Sequence, residues 1–129
     1  MPDVSNAPVK VLRLYSNDQG ESCFDTYEIS RMLRNFAPPA DPFFVSDVAA
    51  ATGYVALRLP IGWIGEAHST PRRQILFCLA GSMEITTSSG EARVIATGDA
   101  LLMADTTGKG HVTKVTSAGP VDAIIVQLE

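Results

Sequence analysis

Gly62-Trp63-Ile64-Gly65-Glu66-Ala67-His68-Ser69-Thr70-Pro71-Arg72-Arg73-Gln74, followed by the apolar run Ile75 to Ala80 and by Gly81, is the most informative segment of this chain. On a strand, residues two apart face the same side. Strand parity therefore puts Glu66, His68 and Thr70 on one face. Pro71 starts a turn, which leaves Arg72 and Arg73 in a loop. Gln74, Leu76 and Cys78 then share a face of the next strand. A carboxylate, an imidazole, a hydroxyl and an amide are thus expected to converge on one pocket, backed by Leu76 and Cys78.

The flanking sequence is of the same kind. Met83 to Thr87 and Glu91 to Ile95 bracket Ser88-Ser89-Gly90, a hairpin signal. Gly98-Asp99 turns the chain into Ala100 to Met103, His111 to Thr116 alternates, and Val121 to Leu128 is an apolar strand after Gly119-Pro120. Upstream, Val9 to Tyr15, Cys23 to Ile29, Phe43 to Val45 and Tyr54 to Leu59 read as strands. Ser30 to Phe36 is the one place where a helix competes, and Pro38-Pro39 closes it. Short strands with turns between them predict an all-β sandwich or barrel. One domain is expected over residues 1–129, with an irregular N-terminal region 1–52 and a barrel core over about 53–128.

Composition narrows the classes of function. Hydrophobic residues make up 46% and charged residues 19%, a globular balance. A net charge of -4 with no Lys or Arg run argues against nucleic acid, and no apolar run reaches membrane-spanning length. Met1 to Lys10 shows no basic stretch followed by an apolar one, so no export signal is expected. Cys23 and Cys78 form no paired pattern and read as free thiols in a reducing cytoplasm.

The segment from Gly62 to Gly81 resembles the first motif of the cupin superfamily, in which a Gly, His-x-His, Glu and Gly recur at set spacing. The matching positions are Gly62, His68, Thr70, Gln74 and Gly81. The second cupin motif, ending in a His, has its counterpart from Gly98 to His111. There Ala104 takes the place of the Pro, and the loop Asp105 to Gly110 is about two residues longer. The likeness spans roughly residues 53 to 128 and resembles small single-domain cupins of the type 2 conserved-barrel kind with a degenerate metal motif. It implies a double-stranded β-helix, or jelly-roll barrel, with an N-terminal strand extension.

In metal-binding cupins the two motif-1 histidines, the Glu and the motif-2 His are the ligands. Carried over, that set leaves His68 and His111 in place, with Thr70 for the second His and Gln74 for the Glu. Strand parity offers Glu66 as a substitute carboxylate, against the plainer reading that it is exposed at the strand start. The expected metal set is therefore His68, Gln74, His111 and Glu66, for one divalent ion such as Fe, Mn, Ni or Zn; no metal at all is the alternative. His68 and His111 are the candidate catalytic residues, since imidazole titrates near neutrality. Thr70, Arg72, Gln74 and Trp63 are the candidate substrate contacts: Arg's planar fork suits carboxylate or phosphate, and Trp63 either walls the mouth or packs on the barrel. Cys78 reads as a small core hydrophobe. Asp105 and Lys109 form a lid over the pocket or a plain turn.

Two classes of function follow. One is an enzyme acting on a small polar organic molecule, through a metal (dioxygenase, lyase or isomerase) or through histidine acid–base chemistry. The other is a metal-free ligand-binding or sensor barrel without catalysis. A purely structural subunit explains the histidines worst. The resemblance also implies a homodimer, and the strand Val9 to Leu14 could add to a partner's sheet edge.

Overall fold

The computed structural model describes residues 6–129; residues 1–5, part of the stretch read for an export signal, lie outside the described residues. Among these there are twelve strands and no α-helix. The first are β1 (Val9–Ser16), β2 (Ser22–Ile29), β3 (Met32–Arg34) and β4 (Phe43–Val45). Then come β5 (Ala51–Leu59), β6 (Ile64–His68), β7 (Gln74–Ala80) and β8 (Ser82–Thr87). The chain continues through β9 (Ala92–Ala96), β10 (Ala100–Ala104), β11 (His111–Val115) and β12 (Val121–Leu128).

A six-stranded sheet runs β2-β1-β10-β7-β12-β5 and a four-stranded sheet runs β6-β11-β8-β9. Their inward positions alternate with outward ones, as β7 shows: Gln74, Leu76 and Cys78 are buried, while Phe77 and Leu79 are exposed. The core joins Leu14, Leu76, Leu101 and Val121 from the larger sheet to Met83, Ile85, Ile95 and Val115 from the smaller one. Each such side chain taken from water stabilises the fold by roughly 1.5–3 kcal/mol. The Ser88-Ser89-Gly90 turn forms as its composition predicts, with Gly90 N–H donating to Thr87 O at 3.0 Å.

The N-terminal third departs from expectation. The region to residue 52, read as irregular, places β1 inside the larger sheet, where it pairs parallel with β10 and antiparallel with β2. Among the described residues of this region the longest stretches outside strands are 35–42, 17–21 and 46–50. Where a helix competed, Met32–Arg34 instead pairs with Phe43–Val45 as a separate two-stranded arm. The segment before Pro38-Pro39 is too short to repay the cost of helix nucleation.

Candidate active site in the barrel

β6 and β11 are antiparallel neighbours, and their register sets His68 directly opposite His111. The two imidazole rings lie 5.0 Å apart between centroids. Both rings line a cavity of about 130 Å³ together with Gln74, Thr113, Trp63 and the apolar side chains Leu57, Leu59, Leu76, Met83, Ile85, Met103 and Ile125. The wall is thus mostly hydrocarbon and thioether, with four polar groups among it.

His111 is fixed from behind. Its Nδ1 meets Asp105 Oδ2 at 2.6 Å, and the other carboxylate oxygen accepts the Thr70 hydroxyl at 2.6 Å. Thr70 N–H also donates to the Asp105 carbonyl at 3.0 Å. All three residues are buried: Thr70 is 1%, Asp105 0% and His111 2% exposed. With both carboxylate oxygens accepting, Nδ1 carries a proton, and in the neutral ring Nε2 is the free acceptor. His68 follows the same logic more simply, with Nδ1 2.8 Å from the Glu66 carbonyl oxygen, which can only accept.

Glu66 does not join this site. β6 carries a bulge: two residues along β11, from His111 to Thr113, correspond to three along β6, from His68 to Gly65. The extra residue breaks the period of two, so Glu66 is exposed and does not line the cavity. Gly65 is buried instead, beneath the Trp63 ring; a Cβ there would fall 2.5 Å from the ring edge. Arg72 is exposed on the turn before β7 and does not line the cavity either. A guanidinium has no anionic partner in that apolar wall and stays in water. Thr70, expected to touch substrate, is turned toward Asp105.

Gln74 and Trp63 do line the cavity, as expected. The Gln74 amide sits 3.8 Å from Met103 Sδ. Burial pushes the Cys78 thiol up, in keeping with a core thiol rather than a nucleophile. The residue whose role sequence reasoning missed is Asp105, read as part of a lid or of a plain turn. The available signal was an acid six residues before a pocket histidine, on a loop with two glycines close enough to fold it back.

A divalent ion would find two imidazole nitrogens here and one neutral amide oxygen. Asp105 is taken up by Thr70 and His111, and Glu66 faces solvent. Among the described residues, no group of three or more His, Cys, Asp or Glu is arranged to hold a metal. The donor set does not match the two-histidine-plus-carboxylate sites usual for first-row metals, and no chemical step is derived through one.

One solved structure supports the fold, and two others are similar to the chain more loosely. A cupin 2 conserved barrel domain protein from Salinispora arenicola superposes with a TM-score of 0.51 at 14% identity, covering 78% of this chain and 76% of that one. A conserved Streptococcus pyogenes protein of unknown function aligns with a TM-score of 0.46 at 25% identity over 60% of this chain, which spans 65% of that protein's length. Oxalate decarboxylase of Bacillus subtilis, which has Mn(II) centres, aligns with a TM-score of 0.46 at 15% identity, over 99% of this chain and 31% of that one. No protein-family model matches the chain, and no curated protein matches it. The chain has the fold of a small cupin-type β-barrel. No helix among the described residues is long and apolar enough to cross a membrane.

Proposed function

We propose that the barrel cavity binds a small organic molecule with an apolar body and one polar group, and that His111 and His68 exchange a proton with it. The observation that carries this reading is the Thr70–Asp105–His111 chain, which orients one buried imidazole at the wall of a mostly apolar cavity. Burying a carboxylate and an imidazole together is costly, and the arrangement leaves Nε2 of His111 as an oriented base. His68, whose ring lies beside that of His111 with centroids 5.0 Å apart, is proposed to take up the proton and pass it back. An isomerase or lyase step that moves a proton next to a carbonyl suits that pair. The apolar wall narrows the small polar organic molecule expected from the sequence to one with a single polar end.

The test is a screen of small carbonyl and carboxyl compounds by ligand-observed NMR, on protein whose metal content has been measured. Binding lost at least tenfold in His68→Ala and His111→Ala, with the circular dichroism spectrum unchanged and no metal present, is the expected result. Near-stoichiometric iron, manganese, nickel or zinc that disappears in both variants would replace this reading with a metal-centred one. Binding unaffected by either variant would overturn both.

The same barrel is proposed to pair with a second copy through the outer face of the larger sheet. Tyr54, Phe77 and Leu79 are 77%, 40% and 54% exposed there, and apolar side chains grouped like this mark contact surfaces. Arg58 and Asp122 lie on the same face, joined by two hydrogen bonds of 2.7 and 3.0 Å. Such a couple is self-complementary across a two-fold axis, where Arg58 of each copy can meet Asp122 of the other. Sedimentation at twice the chain mass, reduced to the single mass in Phe77→Glu/Leu79→Glu, is expected. A wild-type protein that sediments as a monomer disproves the pairing.

A further inference from the structure

The loop 105–110, which carries Asp105 and leads into His111, is laid against the turn between β1 and β2. Ser16 Oγ donates to Thr107 O at 2.8 Å, Lys109 N–H donates to Gly20 O at 2.9 Å, and the buried Ser22 hydroxyl donates to Gly110 O at 2.6 Å. Gly108 lies so close to Gly20 that a Cβ on it would fall 2.4 Å from the Gly20 carbonyl oxygen. The one ionic contact between the two segments joins Lys109 Nζ to Glu21 Oε1.

From this juxtaposition we infer that Glu21 is a positioning residue: through Lys109 it sets the loop whose far end holds Asp105, and so the orientation of the His111 ring. The functional weight of the inference rests on the acid–base reading of His111. Glu21 sits at the start of β2, the edge strand of the larger sheet, far in sequence from the cavity. Lys109 lies two residues from His111 and four from Asp105. At its other end the loop is tied by Thr70 N–H to the Asp105 carbonyl, so a displacement at Lys109 has little slack before it reaches the dyad. The Lys109 ammonium, and after it the Ser88 hydroxyl, hold the Glu21 carboxyl below the ordinary carboxylate range. An exposed ion pair contributes little to global stability, so its loss should act locally.

The readout is the downfield proton resonance of His111 Nδ1–H and its exchange with water. Glu21→Gln and Lys109→Met should each speed that exchange at least tenfold while the melting temperature moves by only a few degrees. The charge-reversed pair Glu21→Lys/Lys109→Glu should restore slow exchange, and Arg34→Met, which breaks the exposed pair with Asp47, should leave it untouched. Unchanged exchange in both single variants, or no restoration in the reversed pair, would overturn the inference. If the resonance is not seen in the wild type, a crystal structure of Glu21→Gln decides: a broken Asp105–His111 contact supports the inference and an unmoved loop sinks it. The resonance reports the dyad whether or not His111 moves a substrate proton, so failure here is distinct from failure of the functional reading.

Discussion

Asp105→Asn should leave a folded barrel with a disabled site. The asparagine amide can still meet Thr70 and His111, but its NH₂ donates where the carboxylate accepted. Turned with its NH₂ on the Thr70 hydroxyl, which can also accept, the amide keeps the native tautomer; with the NH₂ facing His111 Nδ1, 2.6 Å from the native oxygen, it puts the imidazole in the tautomer protonated on Nε2. The nitrogen presented to the cavity then has a proton and no lone pair. A base lost in this way costs on the order of 10²–10⁴ in turnover, and binding through a lone-pair acceptor falls with it. The stability cost should be about 1–3 kcal/mol, the range for disturbing a buried hydrogen-bonded group. Imidazole ¹⁵N shifts would report the tautomer and a thermal melt the stability. A variant with the tautomer protonated on Nε2 and undiminished binding would show that the His111 lone pair is not what the ligand meets.

The second large effect concerns Gly110. Its φ is +75°, and a Cβ there would lie 2.1 Å from both C and O of His68 and 2.5 Å from Ser69 N. All three are backbone atoms where β6 ends, and they are held by the pairing of His68 with His111. Gly110→Ala therefore meets two costs together: about 1–2 kcal/mol for a left-handed non-glycine residue, and an overlap that no side-chain rotation relieves. The sum should exceed about 4 kcal/mol, a large share of the ~5–15 kcal/mol that holds a domain together. The expected outcome is insoluble protein, or a melting point lower by more than about 10 °C. Gly90→Ala is the matched control, since φ there is +95° but nothing lies within 4 Å of the added carbon. Equal melting temperatures for the two variants would mean that the close approach at His68 is not rigid.

Much of this was legible beforehand, for identifiable reasons. Gly62, Gly81 and Gly98 punctuate short apolar runs, and the resemblance of the segments around them to the two cupin motifs implies one pocket for His68 and His111. The alternation of Gln74, Leu76 and Cys78 is local, and it holds. Glu66 was misplaced because a bulge inserts one residue into the count, and neither Glu66 nor Ala67 marks it in the sequence. The role of Asp105 depends on Thr70, 35 residues away, a pairing that no local pattern encodes. The place of β1 between β2 and β10 was hidden for the same reason: alternation shows that Val9 to Tyr15 is a strand, but not which strands flank it.

β12 lies between β7 and β5, and this bears on how the barrel comes into being. During synthesis β5 and β7 emerge long before the strand that must separate them, so two apolar strands wait unpaired, and a direct β5–β7 pairing would be a trap that β12 must undo. β1 likewise waits for β10. A chain assembled from such distant pairings closes slowly and all at once, and is most prone to aggregate in the interval before residues 121–128 arrive.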